Sequence, residues 1–484
     1  MPLNFRQFLH ALLLLGILFM ISGTTGDPDL WGHVRFGRDI IAERAIDLPD
    51  IYSFTANRPW INHEWLAEVL MAGAFNLLGP LGLNALRVVL IAAVLVLVWR
   101  ATARLADSRR MMLVALAALG IYMRAHPIRP QMFSLLMFAL LLTLLESAEG
   151  RRSIRPLMWL PLVMAAWVNL HGGWIVGLGV LVSWTAMRLI AGDRDRLALA
   201  CVLAAAAAAT LLNPHGLAMW RFLFETVRPE RQMIADWQPI YELPPLLWFS
   251  WLAGAGVLAL TAQSSAGRED WMRVATVLAL GIAAVRVSRL DAFFALAGVF
   301  AGAHVLSKVA SPPSSPERAR RSPAFAVLLL LCTVGVGYLT WIRLIAIPVP
   351  AKFMPDPNVS SYVRDEKLSG RALMWFDWGE YAIWHFGPEL KVSMDGRRET
   401  VYTPEVVNAH LRFYFGGAND WQYADEIKAD YVLIPKALPI AKELPLHGWR
   451  PLCEGPTSIL LARQVRSGSC SPATAAVDRL FPEL

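Results

Sequence analysis

Eleven apolar segments, separated by short polar loops, make up most of the first 345 residues. They fall roughly at 8–23, 82–99, 110–123, 132–147, 156–168, 174–190, 197–212, 246–262, 271–285, 291–307 and 324–345. A helix needs about 20 such residues to cross a bilayer, so the shorter segments are expected to lean on neighbouring helices or to thin the bilayer. Of the 484 residues, 56% are hydrophobic and 17% are charged, which is typical of polytopic membrane proteins.

Arginine content alternates from loop to loop and predicts the orientation of the chain. Arginine is frequent in the loops 100–110, 148–155, 188–196, 263–273 and 308–323. By the positive-inside rule these loops are cytoplasmic, and residues 24–63 and everything after about 346 lie outside. About eleven crossings with a cytoplasmic N-terminus satisfy this pattern, in the inner (cytoplasmic) membrane of a cell. The net charge of +7 follows from these loops, and no basic, aromatic-interleaved surface indicates a nucleic-acid partner.

Two segments near the N-terminus need separate interpretation. Residues 64–79 are apolar but carry Glu64 and Glu68, and counting them as a crossing would break the alternation. We predict an interfacial or re-entrant amphipathic helix on the outer face. The first apolar segment is compatible with a cleaved signal peptide, but an acidic motif follows it directly, and a retained helix would hold that motif at the membrane.

The chain after Ile345 is predicted to be a soluble domain. Buried strands are predicted at 372–376, 390–395, 430–435 and 457–462, and helices near 404–415 and 420–428. The predicted fold is therefore a polytopic α-helical membrane domain, 1–345, followed by a mixed α/β domain, 346–484, that is periplasmic or extracellular. Residues 24–81 form an outer loop of the first domain. Cys453 and Cys470 fall in a compartment that permits disulfides, where they could pair or stay free.

Five polar clusters fall on the predicted outer side, at 27–33, 124–131, 169–173, 235–239 and 375–381. In the first, Asp27 and Asp29 are followed by His33. These groups could hold a divalent metal ion or activate an acceptor hydroxyl or amine. Alternatively, Asp27 before Pro28 is a good N-cap for a short helix. The spacing alone leaves both interpretations open.

The predicted outer loops are otherwise poor in uncompensated arginine, and the arginines in two of these loops depart from that charge pattern. Arg124 and Arg129 flank His126 in one loop, and Arg286 and Arg289 lie in another. A guanidinium group recognises phosphate through a planar fork of donors, so these residues are predicted to bind a lipid-linked phosphate. Contact with lipid headgroups, or snorkelling, is the alternative.

Two further outer clusters have structural interpretations of their own. Asn169 and His171 precede two glycines, which indicates a tight turn and leaves the histidine as a weaker site residue. Trp375, Asp377 and Trp378 lie in WFDWG, which from its composition alone is a packed aromatic strand where the membrane and soluble domains join.

Four of these motifs together resemble a known family. DLWGHVR at 29–35 resembles the first-loop motif of the catalytic subunit of oligosaccharyltransferase, and ADWQP at 235–239 resembles its second acidic motif. WFDWG at 375–379 resembles the WWDYG signature, and LKVSMDGR at 390–397 resembles the strand and acidic turn that follow it. The wider group is the GT-C superfamily of membrane glycosyltransferases, which use polyprenyl-linked sugar donors. The resemblance implies a GT-C-like fold.

The resemblance also implies roles for individual residues. It makes Asp29 the metal-binding or base carboxylate and Asp236 a second acidic contributor, with a divalent ion such as Mg²⁺ or Mn²⁺ between them. The spacing adds His33 as a further ligand. Trp375, Asp377 and Trp378 are implied in acceptor recognition.

We therefore predict an inverting glycosyltransferase that moves a sugar from a polyprenyl-phosphate donor to a glycan, lipid or protein acceptor at the extracytoplasmic face. Asp29, helped by Asp27 or a metal, would orient and activate the acceptor. The donor phosphate would be bound by Arg286, Arg289, Arg129 and His126. The change from WWDYG to WFDWG and a short outer loop at 213–245 disfavour the alternative of transferring a diphospho-linked glycan to protein.

A transporter or lipid flippase is the alternative from another class. Such a protein needs ionisable residues near the middle of several helices. Arg87, near a helix start, is the exception in otherwise apolar segments. A membrane scaffold presenting the soluble domain, in turn, has no need for paired aspartates after the first helix.

Overall fold

The computed structural model describes residues 3–46, 50–226, 238–264, 266–267, 270–309, 322–417, 419–464, 470–472 and 478–484. Contacts divide the chain into two units. We call Met1–Thr24 with Leu83–Ile345 the helical unit, and Thr25–Gly82 with Ala346–Leu484 the mixed unit. The segment predicted as an outer loop of the membrane domain is therefore grouped with the C-terminal region.

Every apolar segment predicted from the sequence is helical. The α-helices described up to Ile345 are α1 (Phe5–Ser22), α2 (Leu30–Glu43), α3 (Trp65–Leu78), α4 (Pro80–Ala101), α5 (Asp107–Ala125), α6 (Gln131–Arg151), α7 (Leu160–Val168), α8 (Trp174–Ile190), α9 (Arg196–Ala209), α10 (Leu217–Thr226), α11 (Phe249–Gln263), α12 (Trp271–Arg286), α13 (Asp291–Val309) and α14 (Pro323–Ile345). The helix predicted at 64–79 is present as α3, and it packs against α2. Its place at a membrane interface stays a prediction.

Five helices of the described chain are long and apolar enough to cross a membrane, so this is an integral membrane protein. They are Phe5–Ser22, Pro80–Ala101, Gln131–Arg151, Ser288–Lys308 and Pro323–Ile345. The span around α13 is mostly buried among α5, α11 and α12, whereas α14 is exposed along almost all of its length. The figure of eleven crossings stays a prediction, because several of the other apolar helices are shorter. The orientation of the chain in the membrane also stays a prediction.

The mixed unit is built around a five-stranded sheet in the order β3-β2-β4-β6-β5. β2 is parallel to β3 and β4, while β6 is antiparallel to β4 and β5. A separate antiparallel pair joins β1 to β7. The strands are β1 (Pro348–Val349), β2 (Gly370–Met374), β3 (Leu390–Val392), β4 (Tyr431–Pro435), β5 (Arg450–Glu454), β6 (Ser458–Ala462) and β7 (Arg479–Leu480). The helices are α15 (Pro357–Asp365), α16 (Gly379–His385), α17 (Pro404–Phe415), α18 (Gln422–Glu426) and α19 (Ile440–Glu443).

The predicted strands and helices of this region are confirmed, with ends shifted by a few residues. β4 and β6 are apolar runs buried on both faces, which made them easy to predict. β5 was not predicted from the sequence, because Arg450, Pro451 and Glu454 do not form an apolar pattern. β5 lies at the edge of the sheet, where proline and exposed polar residues are tolerated.

The first loop of the chain joins the free edge of β3. The Val392 N–H donates to the Tyr52 carbonyl at 3.0 Å, and the Phe54 N–H donates to the Val392 carbonyl at 3.1 Å. This pairing satisfies backbone groups of an edge strand that would otherwise be open. It accounts for the grouping of residues 25–82 with the C-terminal region.

Cys453 and Cys470 form a disulfide, with a Cα–Cα distance of 5.2 Å. The bond ties β5 to the segment that follows β6. The sequence had left the pairing of these two cysteines open.

Candidate active site

Acidic residues of the mixed unit gather where β2 and β3 end. β2 leads through a short 3₁₀ turn, Phe376–Trp378, into α16, which carries Glu380. β3 leads into the turn containing Asp395 and Gly396. Because adjacent parallel strands end at the same edge of a sheet, Asp377, Glu380 and Asp395 come into one neighbourhood. Ligand sites of α/β sheets commonly lie at this edge.

Asp29 is brought to the same place by α2, which packs against α16. A Cβ added to Gly396 would lie 2.3 Å from Asp29 Oδ1 and 2.6 Å from Glu380 Oε1. The N–H of Gly32, in the first turn of α2, donates to Glu380 Oε2 at 3.1 Å. Glycine is needed at 32 and 396, because a side chain at either position would collide with the Glu380 carboxylate. Two carboxylates from distant parts of the sequence therefore converge on one glycine.

Burial and mutual repulsion determine the protonation of this cluster. Burial, reinforced by the carboxylates of Asp29 and Asp395, raises the pKa of Glu380 well above its ordinary value. Burial and the Asp29 carboxylate together raise the pKa of Asp377 to about 6. Like charges within about 4–6 Å disfavour ionisation in this way. The cluster has an excess of negative charge and is suited to holding a proton or a cation.

The structure decides which aspartate of the first acidic motif lies at the N-cap position of α2. α2 begins at Leu30 with Asp29 as its N-cap residue, so the alternative that Asp27 caps the helix is wrong. Asp27 is buried, and its backbone carbonyl accepts the Leu30 N–H at 3.3 Å. The Asp29 side chain makes no capping hydrogen bond. Its carboxylate is thus directed at Gly396 and not at the start of its own helix.

His33 is held by a carboxylate other than Asp29. Its Nδ1 lies 3.3 Å from Glu68 Oε1, and Asn62 Nδ2 donates to Glu68 Oε2 at 2.6 Å. Burial lowers the pKa of His33, but the Glu68 hydrogen bond and nearby carboxylates outweigh it and the net shift is upward. A carboxylate on one imidazole nitrogen is also the usual means of orienting a metal-binding histidine.

A buried ion pair fixes the turn that contains Gly396. Arg397 donates to both oxygens of Asp395, at 2.9 Å from Nε and 2.7 Å from Nη2, and also reaches Asp50 at 3.0 Å. The Tyr402 hydroxyl donates to Asp395 Oδ2 at 2.9 Å. The Arg397 guanidinium also contacts the faces of the rings of Phe36, Tyr52 and Trp60. This network joins the first loop to the end of β3 and holds the backbone beneath the two carboxylates.

The aromatic residues of WFDWG are packed against the domain. Trp375 contacts the rings of Tyr414 and Phe415. Trp378 is 3% exposed, and its Nε1 donates to the Lys352 carbonyl at 3.0 Å. Asp377 is the member of the motif whose charge couples to Asp29. The two tryptophans are packed, as the structural interpretation expected, but the motif forms a 3₁₀ turn after β2 and not a strand. Acceptor recognition by Trp375, Asp377 and Trp378 stays a prediction.

In the helical unit, the loop arginines have different partners. Arg124 binds the buried Asp291 at the start of α13 with two hydrogen bonds, Nε to Oδ1 at 2.9 Å and Nη2 to Oδ2 at 3.3 Å. Arg124 is therefore a compensated charge, contrary to the sequence interpretation. Arg289 Nη2 instead lies 3.4 Å from His171 Nε2. Arg286 is exposed at the end of α12.

His171, the weaker candidate in the sequence analysis, is the residue that Arg289 contacts. Its Nδ1 lies 2.7 Å from the Ser134 hydroxyl, which also accepts a hydrogen bond from Trp167 Nε1 at 2.7 Å. Ser134 is on α6, five residues after Arg129. The structure thus places Arg289 and His171 beside the first turns of α6, which Arg129 precedes. The feature of the sequence that could have indicated this contact is the histidine itself, because glycine and asparagine account for the turn without it.

His126 and Arg87 lie among helix ends. The His126 carbonyl accepts the Thr24 hydroxyl at 2.6 Å. Arg87 is fully buried and donates to the carbonyls of Ile21 and Ala125, at 2.8 and 2.9 Å. Arg87 therefore joins the C-terminal ends of α1 and α5. These contacts explain why an ionisable residue lies in an otherwise apolar segment. Asp236 lies outside the described residues, and its role stays a prediction.

The donor chemistry of the acidic cluster fits a divalent cation. Asp29 and Glu380 offer convergent carboxylate oxygens, which Mg²⁺ and Mn²⁺ prefer. Among the described residues, a set of three side chains close enough to share one ion is found elsewhere, at Glu146, Glu149 and His304. A complete ligand set at Asp29 would need a further donor from the chain, from substrate or from water.

No family model matches the chain, and no curated protein matches it. Solved structures of GT-C glycosyltransferases are similar to it over nearly its whole length. The Archaeoglobus fulgidus oligosaccharyltransferase, solved with Zn and sulfate, is 14% identical with a TM-score of 0.55, covering 93% of this chain and 73% of that one. ArnT from Cupriavidus metallidurans bound to undecaprenyl phosphate is 12% identical with a TM-score of 0.51, covering 95% and 98%. Its apo state is 13% identical with the same score, covering 94% and 97%. At this identity the likeness is one of fold.

Proposed function

We propose that the protein is a glycosyltransferase that moves a sugar from a polyprenyl-phosphate donor to an acceptor at the extracytoplasmic membrane face. The observation that carries the proposal is the convergence of Asp29 and Glu380 at Gly396, on a fold similar to GT-C glycosyltransferases. A paired-carboxylate site suits the activation of a hydroxyl or amine nucleophile. The undecaprenyl phosphate bound to the similarly folded ArnT supports a lipid-linked donor.

Arg289, His171 and Arg129 are proposed to bind the donor phosphate. Arg289 lies beside His171 and is only partly exposed, so its guanidinium is held in place before a ligand arrives. A pre-oriented guanidinium stabilises the charge that develops on a departing phosphate. Arg286, which is exposed, and His126 complete the predicted set but have weaker structural support.

Asp29 is proposed to orient the acceptor and take its proton. The acceptor oxygen or nitrogen attacks the anomeric carbon, and the bond from that carbon to the phosphate oxygen breaks. The phosphate leaves with the bonding electrons, while the acceptor proton passes to Asp29. Attack opposite the leaving group inverts the anomeric configuration. Asp27, buried two residues earlier, and Asp377 are proposed to support Asp29 electrostatically.

A divalent ion, Mg²⁺ or Mn²⁺, is proposed at the same cluster. Asp29 and Glu380 would hold it, with His33 as a further ligand predicted from the sequence. Such an ion supplies positive charge that acidifies an acceptor hydroxyl and offsets the repulsion between the carboxylates.

The disulfide between Cys453 and Cys470 supports an extracytoplasmic site, because such bonds persist in oxidising compartments. The structural similarity to the archaeal oligosaccharyltransferase supports one alternative function, the transfer of a diphospho-linked glycan to protein. The two functions differ in the donor, so a donor comparison distinguishes them.

The test is turnover by the purified protein in lipid nanodiscs. Polyprenyl-monophosphate and polyprenyl-diphosphate sugars, labelled in the sugar, are supplied with glycan, lipid and peptide acceptors, with Mn²⁺ or with EDTA. We expect transfer from the monophosphate donor and a loss of at least about 100-fold in Asp29→Asn, the usual scale for removing a catalytic base. Glu43→Gln, an exposed carboxylate at the end of the same helix, is the matched control and should retain full activity. Equal turnover by wild type and Asp29→Asn would refute the proposal.

A further inference from the structure

The imidazole ring of His171 is held by groups to which the proposed reaction assigns no role. The ring is buried, in the turn between α7 and α8. Its Nδ1 lies 2.7 Å from Ser134 Oγ, and the backbone N–H of Gly173 donates to the same nitrogen at 3.0 Å. Its Nε2 lies 3.4 Å from Arg289 Nη2. The two ring nitrogens therefore have different surroundings.

The Gly173 N–H decides which ring nitrogen of His171 carries the proton. A backbone N–H can only donate, so Nδ1 must offer it a lone pair. A proton on Nδ1 would point at the Gly173 N–H and make the contact repulsive. The tautomer that fits has its proton on Nε2, because the hydrogen bond made at one ring nitrogen sets the state of the other.

The Ser134 hydroxyl supports the same tautomer. Trp167 Nε1 can only donate, and it donates to Ser134 Oγ at 2.7 Å. Because the serine oxygen accepts this bond, its own proton can be donated to Nδ1 of His171. Ser134 and Trp167 are both fully buried, so bulk water does not compete for these groups. A chain of donors thus runs from the indole through the hydroxyl to the imidazole.

Glycine at position 173 provides the space for this arrangement. A Cβ there would lie 2.5 Å from Ser134 Oγ and 3.1 Å from His171 Nδ1. The Gly173 backbone has φ −63° and ψ −10°, which residues other than glycine adopt readily. The glycine is therefore needed for space and not for its backbone conformation. A side chain at this position would push Ser134 and His171 apart.

We infer that Ser134 is a positioning residue of the site for the donor phosphate. Together with the Gly173 N–H, its hydroxyl holds His171 with Nε2–H beside the Arg289 guanidinium. Both groups are then donors, and their nitrogens are 3.4 Å apart, so both can donate to the oxygens of one phosphate group. Donors that are oriented before the ligand arrives stabilise its charge most effectively. The inference rests on the proposed function, in which Arg289 and His171 bind that phosphate.

The first measurement is the affinity of the purified protein, in lipid nanodiscs, for polyprenyl phosphate, the leaving group of the proposed reaction. Polyprenol, which has no phosphate, is the comparison ligand. Ser134→Ala should weaken binding of polyprenyl phosphate at least about fivefold and leave binding of polyprenol unchanged. Ser250→Ala is the matched control with wild-type affinity. Ser250 is also a fully buried helical serine, but its Oγ has no hydrogen-bond partner within the described part of the chain.

A second pair of variants tests the space at position 173. Gly173→Ala should weaken binding of polyprenyl phosphate as Ser134→Ala does, because the new Cβ separates Ser134 from His171. Gly179→Ala, on the same helix, is the control, since a Cβ there meets nothing within 4 Å. Equal affinity of Gly173→Ala and Gly179→Ala would overturn the inference.

A double-mutant cycle separates positioning from a general structural role. If Ser134 acts through His171, then Ser134→Ala should change the affinity less than about twofold when His171→Ala is already present. A general loss of structure would weaken binding by the same factor in both backgrounds. That result would overturn the inference.

Nitrogen-15 NMR of protein labelled in its histidine rings tests the tautomer without any ligand. The His171 signals are identified by their absence in His171→Ala. We expect an unprotonated Nδ1 and a protonated Nε2 in the wild type, and a protonated Nδ1 would overturn the inference. Neither binding nor the tautomer requires turnover. A protein that binds polyprenyl phosphate through Ser134 and His171 but transfers no sugar would therefore refute the proposed function and uphold the positioning role.

Discussion

Asp29 and Glu380, 351 positions apart in the chain, each place a carboxylate oxygen where a side chain of residue 396 would begin. Asp29 is supplied by the N-terminus of α2, and Glu380 by the first turn of α16. The geometry of the pair therefore depends on three separate backbone segments. Changes to any of these segments should affect the site in ways that can be measured separately.

Gly396→Ala should lower activity strongly without unfolding the protein. The new Cβ would collide with both carboxylates, so Asp29 and Glu380 must separate. We expect at least about a 100-fold loss of turnover, because small misplacements of catalytic groups carry costs of that size. Gly73→Ala is the matched control, since a Cβ there meets nothing within 4 Å. Wild-type turnover in Gly396→Ala would show that the pair is not needed.

Glu380→Gln should change how stability depends on pH. The pKa of Glu380 is raised in the folded protein, so the folded state loses stability as pH rises from the ordinary glutamate pKa through the raised value. Glutamine is never charged and removes this loss. The melting temperature of wild type in EDTA should therefore fall more steeply than that of Glu380→Gln as pH rises above the ordinary glutamate pKa. Parallel curves for the two proteins would contradict the assignment.

Asp395→Asn should destabilise the mixed unit strongly, because it leaves the buried Arg397 guanidinium without its main partner. Removing one member of a buried ion pair costs about 3–5 kcal/mol. Asp365→Asn is the control, because its pair with Arg364 is exposed and worth about 0–1 kcal/mol. Thermal unfolding followed by tryptophan fluorescence measures both changes. A similar small effect in the two variants would argue against the structural role of Arg397.

His410 should make the C-terminal region sensitive to acid. Burial lowers its pKa to about 4, while its Nδ1 lies 2.9 Å from the Val406 carbonyl. A lowered pKa means that stability is present above the ordinary histidine value and is lost as pH falls from about 6.5 towards 4. His410→Gln should reduce this loss, by an amount on the order of 1–3 kcal/mol. His447→Gln, in the same domain, is the control. Unfolding temperatures measured from pH 7 to about 4 test the expectation.

Arg289 and Arg124 should respond differently to replacement by alanine. Arg289→Ala should raise the KM for the donor at least about tenfold with little change in melting temperature, because charge-assisted hydrogen bonds contribute about 1.5–3 kcal/mol. Arg124→Ala should lower the melting temperature instead, since it leaves the buried Asp291 carboxylate without this ion pair. If Arg289→Ala affected only stability, the donor phosphate would have to be bound elsewhere.

Local patterns predicted the helices and strands well because each depends on neighbouring residues. The apolar runs of β4 and β6 and the helix at 404–415 are examples. Asp29 and Asp377 were singled out through motifs, but Glu380 was not. Its importance comes from Gly32 and Gly396, which are unremarkable in the sequence and become informative only when folding places them against its carboxylate.

Charge pairing across the chain was equally hidden. Arg124 and Asp291 are 167 positions apart, and no local pattern relates them, so Arg124 was wrongly interpreted as uncompensated. Arg397 and Asp50 are a second case, with 347 positions between them. Loop charge indicates on which side of a membrane a residue is expected, but it does not identify the partner that neutralises it.

The pairing of Tyr52 and Phe54 with Val392 has a consequence for biosynthesis. At about 5–20 residues per second, ribosomes would complete the early partner tens of seconds before the late one. The first loop must therefore remain without its strand neighbour while the intervening helices are synthesised and enter the bilayer. Assembly of the acidic cluster is then among the last events in maturation, and a truncated chain never gains it.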